Sequence, residues 1–239
     1  MTHNYHLPEI HPNGGKSVPI HDLTRQLKPG IPTYPDDPEL ELHRFAEVES
    51  DGYQATEIWM SSHAGTHVDA PAHTEPGGRP IDAYPPEAFH FDALLVDVTG
   101  KGPREAITRA DLQEAISGVA PEDAFSADML VLQTGWADHW ETDWYDDHPY
   151  LTAEAAAWLA DNDYHVGIDA LSVDPTPTAN SRPDEPDGVP AHHALLGDGK
   201  FIVENLCNLE SLPEWFRLEA YPLPVKGGDG APARVIARA

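Results

Sequence analysis

His63-Ala64-Gly65-Thr66-His67-Val68-Asp69-Ala70-Pro71-Ala72-His73 places three histidines and an aspartate at intervals of four, two and four. Imidazole and carboxylate are the side chains that divalent metals of the zinc and manganese type take as ligands. The spacing constrains the backbone. As one strand, the run would hold residues 63 and 73 roughly 33 Å apart, beyond the reach of a single ion. As one helix, it would put His63 and His67 on a shared face and turn Asp69 well away from it. Turns at Gly65 and near Pro71 bring the four side chains to one point, so the run reads as a strand end that breaks into a loop around metal. A lone histidine in a chain with fourteen is ordinarily a surface or core residue. Four candidate ligands in so short a run, punctuated by Gly and Pro, favour metal, with its identity open.

The 239 residues around this run fit one large domain. The formal charge is -27, from 41 acidic and 14 basic residues, and the acids are spread along the whole length rather than gathered in a tail. Disorder is the ordinary reading of such a charge. Against it stand 40% hydrophobic residues and several apolar runs, which indicate a core beneath an acidic surface. With only five lysines, that surface resembles those adapted to concentrated salt, where screening removes long-range self-repulsion. No basic patch is present to neutralise phosphates, which argues against nucleic acid as a partner. The single cysteine, Cys207, excludes an intramolecular disulfide framework. The first residues lack the basic start and apolar stretch of a signal peptide, and no run approaches the roughly 18 apolar residues of a membrane span. The expectation is a soluble, cytoplasmic protein.

Residues 1–19, with Pro8, Pro12, Gly14 and Gly15, read as a flexible arm, and residues 20–239 as the domain. Ile20–Thr24 reads as a short strand. Four prolines between Pro29 and Pro38 make a stiff loop that holds Tyr34, either as a packing residue or as an aromatic wall. Leu40–Ser62 reads as a strand pair leading into the histidine run. Leu94–Val98 and Met129–Leu132 are apolar enough for buried strands, and Thr108 opens a helix with Asp111 at the capping-box position usually taken by Glu or Gln. Residues 136–150 gather Trp136, Trp140, Trp144, Tyr145 and Tyr150, as a lid over a pocket or a subunit contact. There follow a helix over Thr152–Asp161, a strand over His165–Asp169, a Pro- and Asp-rich loop over 170–190 and a short helix over Ala191–Leu196 closed by Gly197. Strands over Phe201–Leu206, Arg217–Val225 and Ala233–Ala237 finish the chain. By themselves these residues make His192 and Glu204 an ordinary surface pair and Cys207 a small buried side chain. Strands alternate with helices without a glycine-rich nucleotide fingerprint or an internal repeat, which indicates an α/β protein.

The run from His63 to His73 resembles the signature of the cyclase-like metal-dependent hydrolases, the family of bacterial kynurenine formamidase and isatin hydrolase. Ile20–Thr24 and Ile31–Pro35 resemble that family's opening strand and proline loop, and Gly167–Asp174 its central strand. Ala191-His192 with Glu204–Leu206 resembles its second metal segment, and Gly227–Arg234 its closing turn, so the likeness runs from about residue 20 to the end. The resemblance implies a single α/β domain of the swivelling β/β/α type, with a β-sheet core around the metal site and helices outside, assembled as a homodimer or larger homo-oligomer. It also implies roles. His63, His67 and Asp69 hold one divalent ion, Asp69 bridges to a second ion held by His192, and Glu204 is a further bridging ligand. His73 is the catalytic acid and base. His192 is preferred to His193 because it lies twelve residues before Glu204. Zinc, as two ions, is the first choice of metal and manganese the second.

The implied activity is hydrolysis of a non-peptide amide by metal-activated water, foremost that of an arylformamidase converting N-formylkynurenine to kynurenine and formate. An anilide nitrogen leaves more readily than an alkyl amine, and a formyl group is small. Tyr34 and Trp136 are expected to hold the aromatic part. The formamidase branch carries a stacking tryptophan in the proline loop where this chain has Tyr34, which leaves the substrate open. An isatin-hydrolase-like lactam opener with one manganese-type ion is the enzymatic alternative. A non-catalytic binder of metal or a small molecule is the third reading; its mark would be loss of His73 or a ligand, and none is lost.

Overall fold

The computed structural model describes residues 18–119 and 127–239. The arm expected over residues 1–19 lies outside the described residues except for its last two. In chain order the strands are β1 (Ile20–Asp22), β2 (Glu41–Ala46), β3 (Ala55–Trp59), β4 (His67–Asp69), β5 (His90–Asp97), β6 (Ala106–Ile107), β7 (Met129–Gln133), β8 (Tyr150–Leu151), β9 (His165–Ile168), β10 (Ile202–Glu204), β11 (Trp215–Pro222) and β12 (Gly230–Arg238). The helices are α1 (Val48–Asp51), α2 (Arg109–Ser117), α3 (Ala153–Asp161) and α4 (Pro190–Gly197).

The main sheet runs β1-β12-β11-β5-β7-β9-β10-β4, and β4 returns to pair with β12. Seven of its eight strands therefore close into a barrel, with β1 held outside the ring on β12. The apolar runs at 94–98, 129–132 and 165–169 become β5, β7 and β9, which lie parallel. The remaining pairings are antiparallel except β9 with β10. Alternation along these strands sorts their side chains onto two faces. Phe91 and Ala93, Met129 and Val131, Val203, Phe216, Leu218 and Ala220, and Ala231, Ala233 and Val235 share one core with Val68. The intervening Leu94, Val96, Leu130, Leu132, Val166, Ile168 and Ile202 join the second core, built with Leu112 of α2, Ala155, Ala156 and Leu159 of α3, and Leu195 and Leu196 of α4. Helices thus cover the barrel along β5, β7 and β9, whereas alternate residues of β11, from Trp215 to Tyr221, are largely exposed. The capping box at Thr108 forms as expected, with the Asp111 N–H donating to the Thr108 hydroxyl and the Thr108 N–H to the Asp111 carboxylate.

The closing strand β4 is also the one that carries the histidine run. It pairs with β10 on one edge, Glu204 opposite His67 and Val203 opposite Val68. On its other edge it meets β12, with Gly230 opposite Asp69. Val68 and Val203 enter the first core, so His67, Asp69 and Glu204 project from the other face of the same two strands. The polar cluster therefore lies on the barrel wall rather than in the lumen. The 170–190 loop that borders it is fastened by Arg104, a buried residue whose Nη1 donates to Thr176 O (2.9 Å) and whose Nε donates to Glu185 (2.7 Å). Asp174, in that loop, accepts the N–H groups of Ala191 and His192 at 2.9 Å each. It thereby satisfies donors that the first turn of α4 leaves free.

Candidate metal centre

The local fold of the run differs in one respect from the expectation. The strand lies in the middle of the run, as β4, rather than ending at its start; His63 stands in the turn before it. Gly65 makes that turn at φ +66°, and a Cβ there would meet Leu27 at 2.7 Å. After β4 the chain turns again at Pro71–His73, where the His73 N–H donates to Ala70 O at 2.9 Å. Both predicted turn positions hold.

These turns, with α4 and β10 packed beside the run, bring together every residue expected to hold metal. His63 Nδ1 is 2.7 Å from Asp69 Oδ1, and His67 Nε2 is 3.3 Å from the same oxygen and 3.4 Å from Glu204 Oε2. His192 Nε2 lies 3.6 Å from Asp69 Oδ2 and 3.5 Å from Glu204 Oε1. Three candidate ligand groups result: His63 with His67 and Asp69, and Asp69 with His192 and Glu204, which share Asp69, and at the rim His63 with His73 and the half-exposed Asp229. His193, the rejected neighbour, instead bonds Glu75 at the surface (2.8 Å).

The donor set fits a divalent cation on two observations. His67 Nε2 and Asp69 Oδ2 are buried without a hydrogen-bond partner among the described residues, a condition that costs stability unless something else satisfies them. Each histidine also commits its second nitrogen outward. His63 Nε2 donates to Asp229 Oδ2 (3.0 Å), His67 Nδ1 to Gly65 O (2.8 Å) and His192 Nδ1 to Asp174 Oδ2 (2.8 Å). Such outer acceptors fix the tautomer and ring orientation of metal-ligating histidines.

The titration of the cluster says the same. Burial opposes charge on His63, but the Asp69 charge and the hydrogen bond to Asp229 outweigh it and lift the ring to about 9. Burial opposes charge on His192 too, and its hydrogen bond to Asp174 and the nearby charges of Asp69 and Glu204 lift it to about 10. His67 is raised well above its ordinary value against its burial, chiefly by Asp69. Burial would raise Asp69, yet the neighbouring charges of His67 and His63 hold it well below the usual carboxylate range. Hydrogen bonds from His63 and His73 hold Asp229 low as well. In the metal-free protein the carboxylates favour protons on these rings, at the point where a cation would stand.

Beside the cluster is a cavity of about 280 Å³, whose lining includes His63, His67, His73, His192 and Glu204 together with Tyr34, Leu171 and Val189. Tyr34 is therefore where a substrate wall was expected. Trp136 is not: it is buried in the helix-side core, its indole N–H donates to the Trp144 and Tyr145 carbonyls, and it does not line the cavity. The aromatic segment folds back onto the chain's own core, where Tyr145 and Tyr150 are buried and Trp144 is 58% exposed. Cys207 is a buried thiol, as its sequence context indicated.

Several contributors were not singled out as site residues from the sequence. Asp174 and Asp229 hold the outer nitrogens of His192 and His63, and the Asn205 amide donates to Gly65 O (3.0 Å) while accepting from the Tyr145 hydroxyl (2.8 Å). Asp174 and Asp229 sit in segments whose likeness to the family was noticed, but an isolated Asp in a Gly- or Pro-rich loop has no pattern that marks its partner.

Fold and site together define an α/β barrel protein with a His and carboxylate centre suited to divalent cations. Residues 21–175 match the family described as Putative cyclase, and the chain belongs to that family. It is 31% identical over 229 residues to a kynurenine formamidase of Salinibacter ruber, covering 91% of this chain and 96% of the relative. A second kynurenine formamidase, from Erythrobacter litoralis, is 31% identical over 226 residues, covering 92% and 93%. Among solved structures, isatin hydrolase A from Labrenzia aggregata bound to benzyl benzoate superposes with a TM-score of 0.77 at 28% identity, covering 92% of this chain and 93% of that one. The described residues contain no helix long and apolar enough to cross a membrane.

Proposed function

We propose that the protein is a metal-dependent hydrolase of a non-peptide amide bond, with aryl formamides, N-formylkynurenine among them, as its substrate class. One observation carries this reading. His73 faces the same cavity as the ligand cluster, with its ring 4.1 Å from that of His63 and 5.6 Å from that of His192, yet it belongs to neither set built on Asp69. A histidine beside the buried cation sets but outside both of them is placed for proton transfer. The names of the relatives and the family resemblance support the same reading.

In this reading His63, His67 and Asp69 hold one ion, and Asp69, His192 and Glu204 the other, with zinc the first choice and manganese the second. Bound there, divalent ions supply Lewis acidity that polarises a carbonyl and acidifies water. Tyr34, Leu171 and Val189 hold the aromatic ring, and His73 takes a proton and returns it to the leaving anilide nitrogen. Residues 20–239 act as one catalytic domain, in a cytoplasmic homo-oligomer. Lactam opening is the second reading, favoured by the structural likeness to isatin hydrolase.

The test combines two variants with two substrates. His73→Ala is expected to keep its metal and lose most turnover, whereas His67→Ala loses metal first. N-formylkynurenine and isatin, assayed side by side, separate the two readings. Full activity in His73→Ala overturns the acid-base assignment, and inactivity of the metal-loaded wild type on both substrates overturns the substrate class.

A further inference from the structure

The seam that closes the barrel brings a residue from the end of the chain onto the histidine run. Asp229 directly precedes β12, and its carbonyl accepts the Ala70 N–H at 2.8 Å, which fastens it beside the end of β4. The next residue must be glycine. A Cβ on Gly230 would meet His63 Cε1 and Val68 O, each at 2.8 Å, and backbone oxygen in a paired strand has no room to yield. With no side chain there, the His63 ring lies against the seam and Asp229 reaches it. Asp229 Oδ2 is 3.0 Å from His63 Nε2 and 3.5 Å from His73 Nδ1, while its Oδ1 accepts from the Ser62 hydroxyl at 3.0 Å.

We propose that Asp229 is a positioning residue that couples the two halves of the centre, one carboxylate oxygen accepting the His63 N–H and facing His73 Nδ1 at 3.5 Å. The shared acceptor turns His63 Nδ1 toward Asp69 for metal and leaves His73 Nε2 as the unprotonated nitrogen available for proton transfer. Ser62 holds the other oxygen, so the carboxylate cannot rotate away from either ring. This assignment rests on the reading of His73 as acid and base, and it gives the Gly-Gly-Asp-Gly stretch at 227–230 a chemical reason: glycine for close approach and aspartate for the shared acceptor.

The same three side chains also lie close enough to hold a cation themselves, and the experiment separates the two roles. Asp229→Asn preserves shape and leaves one neutral acceptor oxygen, so its amide nitrogen must face either the two rings or the Gly230 N–H that Oδ1 accepts at 3.1 Å, and the shared acceptor is lost or weakened. In the zinc-loaded enzyme, Asp229→Asn is expected to keep the wild-type metal count, to lower kcat about 10- to 100-fold and to leave KM within about threefold. Ring ¹⁵N shifts of the same samples are expected to show His73 as the Nδ1–H tautomer in wild type and as a mixture in Asp229→Asn. Ser62→Ala, which leaves the carboxylate in place, gives a smaller loss of kcat with metal retained. Loss of one metal equivalent in Asp229→Asn would make Asp229 a ligand and overturn the proposal, and so would an unchanged His73 tautomer. Because the tautomer is read without substrate, failure of the amide assays refutes the proposed function and leaves this assignment to be decided on its own.

Discussion

Loading metal into the metal-free protein should expel protons in a number set by the cluster. His63 and His192 titrate at about 9 and about 10, and His67 lies well above its ordinary 6.5. At pH 7.5 the His63 and His192 rings are nearly fully protonated in the metal-free state, and both must be neutral to act as ligands, so filling both sets releases at least about two protons, with His67 adding to the count in the same direction. Calorimetric titration in buffers of different ionisation enthalpy measures this count directly. It should fall as the pH is raised through about 9 and then about 10. The same values determine how the metal-free protein responds to pH. The folded-state values of His63 and His192 lie above the unfolded 6.5, so the stability these two contribute is fully present below about pH 6.5 and is lost as pH rises through about 9 to 10. Melting curves in concentrated salt, which screens repulsion among the 41 acidic residues, should therefore show Tm of the metal-free protein falling across that window while the increment given by metal grows. Release of fewer than one proton at pH 7.5, or a metal-free Tm that rises between pH 7 and 10, would refute the reasoning that protons stand in for the cation.

Glu204→Gln removes a carboxylate from the second ligand set and leaves His63, His67 and Asp69 intact, so elemental analysis should fall from two ions per chain to one; one ion in both proteins would sink the two-metal arrangement. Gly230→Ala forces a Cβ against His63 and the Val68 carbonyl, which should cost about 1–3 kcal/mol of stability and weaken metal binding in the same variant. A Gly230→Ala protein with wild-type Tm and metal affinity would show that the seam has slack.

The part of the site that could be read from the sequence is the part whose geometry is local. In the run from His63 to His73, the turns at Gly65 and Pro71 and the convergence of the four side chains follow from spacing and backbone preference, whereas the strand at His67–Asp69 does not. His192 and Glu204 are different. No pattern in the residues between 73 and 192 says that α4 and β10 will flank β4, and these two residues entered the ligand set through the family resemblance alone. Trp136 failed for a related reason: an aromatic-rich loop has the same composition whether its rings face a cavity or the protein's own core.

Sequence by itself determined the alternation of apolar strands with helices, the positions of most of the strands though not of β4, β6 and β8, and the chemistry of four ligand candidates close together in the chain, because each of these depends on neighbours within a few residues. Tertiary structure decided that a three-residue strand closes the barrel, that His67 and Asp69 therefore meet Glu204 across one edge and Gly230 across the other, and that Asp174 and Asp229 hold the outer nitrogens of His192 and His63. Those contacts depend on the register of strands far apart in the chain. A shift of one residue in that register would send every side chain on β4 to the opposite face, and only the packed barrel selects between the two.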